Sequence, residues 1–179
     1  MRELIRQFVT VVANTLPIQE PIYEFGACQV PGQEVLANLR PIFRGKLYVG
    51  CDIQAGPGVD RVLNLHNIAL PEATAGTILI LDTLEHVEYP HLAMREAFRI
   101  LKTGGVCIIS SVLGFPIHNP PDYWRFTPEG FTSLLKPFSW GLVSFKGDPN
   151  FPHTIVGVGG KGDKPNVDNF INILKKWKA

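Results

Sequence analysis

A chain of 179 residues with 45% hydrophobic and 18% charged residues has the length for one sizeable core, and its formal net charge of +1 excludes both the basic footprint of a nucleic-acid binder and an acidic solvating tail. Three separated cysteines, Cys28, Cys51 and Cys107, with no CxxC pair indicate reduced thiols in a cytoplasmic protein, and no close Cys or His spacing suggests a metal site. No apolar run approaches the ~20 residues of a membrane span, so a small-molecule partner is expected, and a homodimer stays open.

Residues 1–18 predict a leading amphipathic helix with Phe8, Val11, Val12 and Leu16 on one face, and Glu3 and Arg6 interrupt the start that a signal peptide would need. "PIYEFGA" (21–27) is a short strand ending at a glycine. "GQEVLANLRPIF" (32–43) predicts a helix with Val35, Leu36, Leu39 and Phe43 inward, bent or ended by Pro41. "KLYVGCDI" (46–53) and "VDRVLNL" (59–65) are strands separated by a "GPG" turn, and "GTILILDTL" (76–84) is the most apolar stretch. "YPHLAMREAFRILK" (89–102) places Leu92, Ala93, Ala97, Ile100 and Leu101 at helical spacing and is ended by "TGG". "VCIISSVL" (106–113) is a buried strand, followed by a proline-rich loop and a helix near 128–136. "WGLVSFKG" and "HTIVGVGG" close as an antiparallel pair before a terminal helix, "NVDNFINILKKWK".

Continuous apolar strands alternating with amphipathic helices predict an α/β fold, a mostly parallel sheet buried on both faces. Ligands of such sheets bind beyond the carboxyl ends of the strands, where the winding direction reverses. Glu24 and Gly26 lie at the first such end, where glycine serves either a ligand or a tight turn. Asp52 ends the second strand, where a carboxylate can accept from both hydroxyls of a ribose. After the central strand, Asp82, Glu85 and His86 read either as an acid/base cluster or as a solvated cap on the next helix.

The runs "EFG" (24–26), "GCDI" (50–53), "LDTLEHVEYPHLAMREAFRILKTGG" (81–105) and "YWRFTPEG" (123–130) resemble the class I S-adenosylmethionine-dependent methyltransferases, in particular the type 11 group of small-molecule enzymes. The resemblance covers roughly residues 21–135. It implies a three-layer Rossmann-like methyltransferase sheet of minimal size, mostly parallel with an antiparallel C-terminal strand pair, and one domain spanning 1–179. It implies that Glu24, Gly26 and Ala27 hold the methionine end of the cofactor, S-adenosyl-L-methionine, and that Asp52, with Ile53 beside it, holds the ribose. Leu65 and His66, with Asn64 as a register alternative, would bracket the adenine, while Asp82, Thr83 and Leu84 line the cofactor and the transfer site. The sequence departs from the family where "EFGACQVPGQ" has a single glycine before Cys28, Gln29 and Pro31, and where only "QAGPG" stands between the second and third strands.

Methyl transfer needs acceptor, methyl and sulfur held in line, and a base only where the acceptor must lose a proton. The segment "HNPPDYWRFTPEG" from His118 supplies candidates within the substrate loop and helix, 114–136. His118 would take the proton, Asp122 orient it and Tyr123 face the site, whereas His86, Trp124 and Arg125 would contact the substrate, Arg125 pairing with an acidic group. The alternative for this loop is that Trp124 and Phe126 plug the core edge and Arg125 pairs locally. A non-catalytic methyltransferase-fold module with a degenerate cofactor loop is the second functional reading. "GACQVPG" does not fit a dinucleotide fingerprint, and Cys28 lacks the partner spacing of a cysteine hydrolase.

Overall fold

The computed structural model describes residues 2–178. Helix α1 (Glu3–Thr15) leads into β1 (Ile22–Phe25), a short helix α2 (Glu34–Ala37) and a 3₁₀ turn (Arg40–Phe43). Then come β2 (Tyr48–Asp52), β3 (Arg61–Val62), β4 (Ala75–Leu81), a second 3₁₀ turn (Leu84–His86), α3 (Pro90–Ile100) and β5 (Leu101–Val112). Helix α4 (Pro128–Leu134), strands β6 (Trp140–Asp148) and β7 (Phe151–Gly160), and α5 (Asp168–Lys178) complete the chain.

The strands form one sheet in the order β3-β2-β1-β4-β5-β7-β6. The first five are parallel, and β7 runs antiparallel to both β5 and β6. The predicted sheet and its antiparallel closing pair are both present. The chain winds outward from β1 to β3, then returns to place β4 on the other side of β1. The switch point therefore lies between the loops that leave β1 and β4.

Alternation along each strand divides the core into two layers. Tyr23, Phe25, Ile78, Ile80 and Ile109 face α3 and α4. Ile22, Tyr48, Leu79, Val106 and Val158 face α1, the first 3₁₀ turn and α5. All seven residues of β4 are buried. Each large apolar side chain so buried is worth ~1.5–3 kcal/mol, so the most apolar run takes the middle of the sheet.

Several boundaries differ from the sequence reading. The helix over 32–43 is split, because the Asn38 side chain accepts from the Arg40 amide (3.2 Å) and turns the chain out of helical geometry. With one turn left, α2 buries nothing and Val35 is exposed, while Leu39 and Phe43 reach the core. Leu92, predicted inward, is also largely exposed. The strand over 59–65 shrinks to two residues at the sheet edge, and β5 begins at Leu101, so "TGG" is an irregularity in β5 and no helix stop. Among the described residues, no helix is long and apolar enough to cross a membrane.

Candidate functional site

The switch point closes tightly. Gly26 has a left-handed φ of +83°, and a Cβ there would lie 2.1 Å from the Thr83 hydroxyl oxygen, so both the turn and the close approach of the β1 and β4 loops require glycine. The following amides are all engaged by the β2 side. Gly26 and Ala27 N–H donate to the Cys51 carbonyl (2.9 and 3.0 Å), Cys28 N–H to Asp52 Oδ2 (3.1 Å) and Gln29 N–H to the Pro57 carbonyl (2.9 Å). Gly56 and Gly58 let the loop after β2 lie against Cys28 and Ala27. Asp52 stays half-buried at the strand end, its Oδ1 accepting from Gln54 N–H, and Ile53 beside it is exposed.

Glu24 lies elsewhere than expected. It shares the sheet face of Ile22, beneath the first 3₁₀ turn, and accepts a hydrogen bond from the Tyr48 hydroxyl (2.7 Å). Burial pushes its carboxyl up to about 7. A buried group spent on Tyr48 is no ligand for the crevice, which corrects its assignment to the methionine end. Leu65 is likewise a core residue, whereas Asn64 caps the amide of His66, and His66 Nε2 accepts from Tyr89 N–H (3.2 Å).

After β4, Asp82 adopts a left-handed backbone (φ 46°), which an aspartate tolerates when its neighbours hold it. Ser110 accepts from the Asp82 amide and donates to Oδ1 (2.9 Å), and Arg2 pairs with the same carboxylate (2.8 and 3.2 Å). Arg2 also donates to the Thr154 hydroxyl, contacts His153 and lies over the Phe115 ring. Ser110 falls where residues past the β5 core are expected to face the ligand side, whereas Arg2 is absent from the sequence-derived set; a charged residue just ahead of an amphipathic helix was its one available signal.

Glu85 is fully buried; Ser111 donates to its Oε2 (2.7 Å), and Oε1 has no hydrogen-bond partner among the described residues. Burial, and then the Asp82 charge, raise its pKa. Its backbone carbonyl accepts from Tyr123 and Trp124 N–H (2.7 and 3.2 Å), which pins the proline-rich loop over the sheet edge. The loop is braced within itself by Asp122, whose side chain is 1% exposed. Arg125 donates to both its oxygens (2.6 and 2.7 Å) and the His118 amide to Oδ2 (2.8 Å), and this holds the carboxyl well below the usual range. Arg125 also donates to the Phe115, Pro116 and Trp124 carbonyls, so its expected pairing with an acidic substrate gives way to local bracing.

His118 and His86 meet edge to face at 4.9 Å between ring centres. Phe126 is packed into the core, while Trp124 is half-exposed, with Nε1 donating to the Val87 carbonyl (3.1 Å). Trp124 lines a cleft of about 660 Å³ with Tyr89, Leu92 and Leu134. Thus the structure groups His118, Asp122, His86 and Glu85 in one cluster and Gly26, Ala27, Thr83 and Asp52 in another. Burial pushes the thiol of Cys51 up to about 12 and raises those of Cys28 and Cys107, the opposite of an activated nucleophile.

Residues 33–109 match a family model described as a methyltransferase domain. A search of the solved structures finds the same architecture. A S-adenosylmethionine-dependent methyltransferase from Archaeoglobus fulgidus superposes with a TM-score of 0.67 at 14% identity, over 90% of this chain and 95% of that one. The fold is that of the S-adenosylmethionine-dependent methyltransferases. A possible histamine N-methyltransferase from Thermotoga maritima matches with a TM-score of 0.60 at 17% identity, over 90% of this chain and all of the other (100%). The [4+2]-cyclase SpnF matches with a TM-score of 0.60 at 12% identity, over 88% and 82% of the two chains. No protein of curated function matches the sequence. The family match covers less than half of the chain, and the superpositions show a shared fold.

Proposed function

We propose that this methyltransferase-fold protein, acting as one domain over 1–179, transfers the methyl group of S-adenosylmethionine to a small-molecule acceptor. The observation that carries the reading is the pairing of an exposed glycine at the switch point with a strand-end carboxylate. Gly26 is exposed at the switch point with no side chain, and Asp52 is half-buried beside it. This set suits the nucleoside half of the cofactor. Asp52 is an acceptor for a diol, Ala27 and Gly26 permit close approach, and exposed Ile53 offers an apolar shoulder to an aromatic base. Asn64 and His66 would border that base, with Thr83, Leu84 and Asp82 toward the transferred group. The bound cofactor supplies an electrophilic methyl on a positively charged sulfur.

The chain's own residues then orient and exclude water. The loop pinned on Glu85 covers the sheet edge, Asp122 fixes His118, and Tyr123 and Trp124 border the acceptor side. The cleft beside Trp124 has the size of a small-molecule site. His118, its Nδ1 facing Asp122 and the Pro116 carbonyl, keeps Nε2 to receive a proton from an acceptor hydroxyl or amine.

One observation favours a non-catalytic binding module instead: every amide from Gly26 to Gln29 is consumed within the protein, leaving none for a ligand. Calorimetry separates the two. Saturable binding of S-adenosylmethionine and of its demethylated product, weakened at least tenfold by Asp52→Ala, supports the enzyme. No binding at millimolar cofactor, with D52A indistinguishable from the parent protein, leaves the module.

A further inference from the structure

Sequence spacing offers no metal-ligand set, but the fold builds one. Glu85, His86 and His118 bring one donor atom each to within 4.8 Å of one another, from the turn after β4 and from the proline-rich loop 32 residues further on. The second observation is the orphaned oxygen. Glu85 Oε1 is buried without a partner among the described residues, although its twin Oε2 is satisfied by Ser111. A buried acceptor left unsatisfied is costly, so a ligand that claims it is favoured.

The histidines are prepared in the same sense. His86 Nδ1 lies 2.7 Å from the Pro121 carbonyl, and His118 Nδ1 lies 3.2 Å from the Pro116 carbonyl and 3.3 Å from Asp122 Oδ2. A carbonyl oxygen only accepts, so each neutral ring carries its proton on Nδ1. The lone pair of each ring is thereby placed on Nε2, with an outer oxygen orienting the ring behind it, which is the usual support of a metal-binding imidazole. The other charges nearby are already paired: Asp82 with Arg2, and Asp122 with Arg125. No cation competes for the open carboxylate oxygen from those pairs.

We infer that Glu85, His86 and His118 form a binding site for a divalent first-row transition ion. Two imidazoles and one carboxylate, without thiolate, suit zinc, cobalt, nickel or iron(II) better than copper(I) or the oxygen-seeking magnesium and calcium. Binding would draw the three donors together by roughly an ångström toward tetrahedral spacing, a movement open to His118 on its loop. Three protein ligands leave at least one position free. Where the acceptor reading holds, an ion there takes the His118 lone pair and polarises the acceptor oxygen in its place. The site itself rests on the three side chains and stands or falls separately from methyl transfer.

Titration of chelator-treated full-length protein with Co²⁺ tests it. The expected result is a one-to-one endpoint with visible d–d absorption that Zn²⁺ displaces. Affinity should fall at least tenfold in His118→Gln and in His86→Gln and stay unchanged in His91→Gln, an exposed histidine outside the cluster. Glu85→Gln should do the same; if that variant does not fold by circular dichroism, the two histidine variants decide. Absence of saturable binding up to millimolar Co²⁺, or binding that H118Q and H86Q leave intact, overturns the proposal. Neither result bears on the cofactor calorimetry, which is read without metal.

Discussion

The loop leaving β1 and the loops leaving β4 and β5 start at the same edge of the sheet, but they spend their polar groups differently. From Gly26 to Gln29, each backbone amide is answered by the β2 side, and Asp52 is itself used to hold Cys28. Across the switch point, Glu85 keeps an unanswered oxygen, and His86 and His118 are oriented from behind by carbonyls. A fully satisfied network fixes a shape, whereas a partly satisfied one keeps binding capacity at a cost in stability. The first region is therefore the rigid wall of the crevice, and the second is where new ligand contacts can form.

That contrast is broken most severely at Gly26. Gly26→Ala imposes a left-handed backbone on a residue with a Cβ and drives that atom into Thr83, a combined cost of about 3 kcal/mol. Its urea midpoint should drop accordingly, and a Thr83→Ala background should recover the steric part but not the backbone part. Equal midpoints for G26A and the parent protein would mean that the wall is not rigid.

Glu24 gives the next largest effect and behaves as a core residue. Folded Glu24 keeps its proton to about pH 7, whereas in the unfolded chain it ionises near 4.5. The folded state thus binds the extra proton between those values, so stability falls as pH rises through that window and is fully reduced above it. Glu24→Gln keeps an acceptor for Tyr48 and should abolish this fall, making the variant about 3 kcal/mol more stable than the parent at pH 8 and little different at pH 4. Chemical denaturation at the two pH values reads it. A pH-independent difference would show that Glu24 does not titrate in the folded protein.

How much of this was legible follows the range of the interactions. The sheet was readable because each strand announces itself locally, as "TILIL" does, and Asp52 was placed at its edge by the apolar run before it. Asp122 beside His118 was readable because four residues separate them. Glu24 misled because its strand position is right but its side chain points to the other face, where Tyr48 waits 24 residues away. Arg2 on Asp82 spans 80 positions, and Ser111 on Glu85 spans 26. Pairings of that length are set by how the sheet is wound, and no local pattern encodes them. The helix over 32–43 failed for a local reason: its apolar spacing was real, but a side-chain bond from Asn38 outcompeted the backbone.

The smallest expected effect falls on the reserve side, and its location rather than its size is informative. Asp122→Asn removes the charge that draws two Arg125 nitrogens while leaving one carbonyl oxygen for the His118 amide. Arg125 retains three backbone carbonyls, so it is not abandoned, and the global cost should be about 1 kcal/mol. The loop is a different matter. It is anchored to the sheet through the Tyr123 and Trp124 amides on the Glu85 carbonyl, and Asp122 sits directly before them. Loosening the brace should raise hydrogen exchange at those two amides severalfold while the amides of β4 and β5 keep their protection. Unchanged exchange at Tyr123 and Trp124 would place the anchoring entirely in the Glu85 carbonyl, and the loop would then be as fixed as the wall it faces.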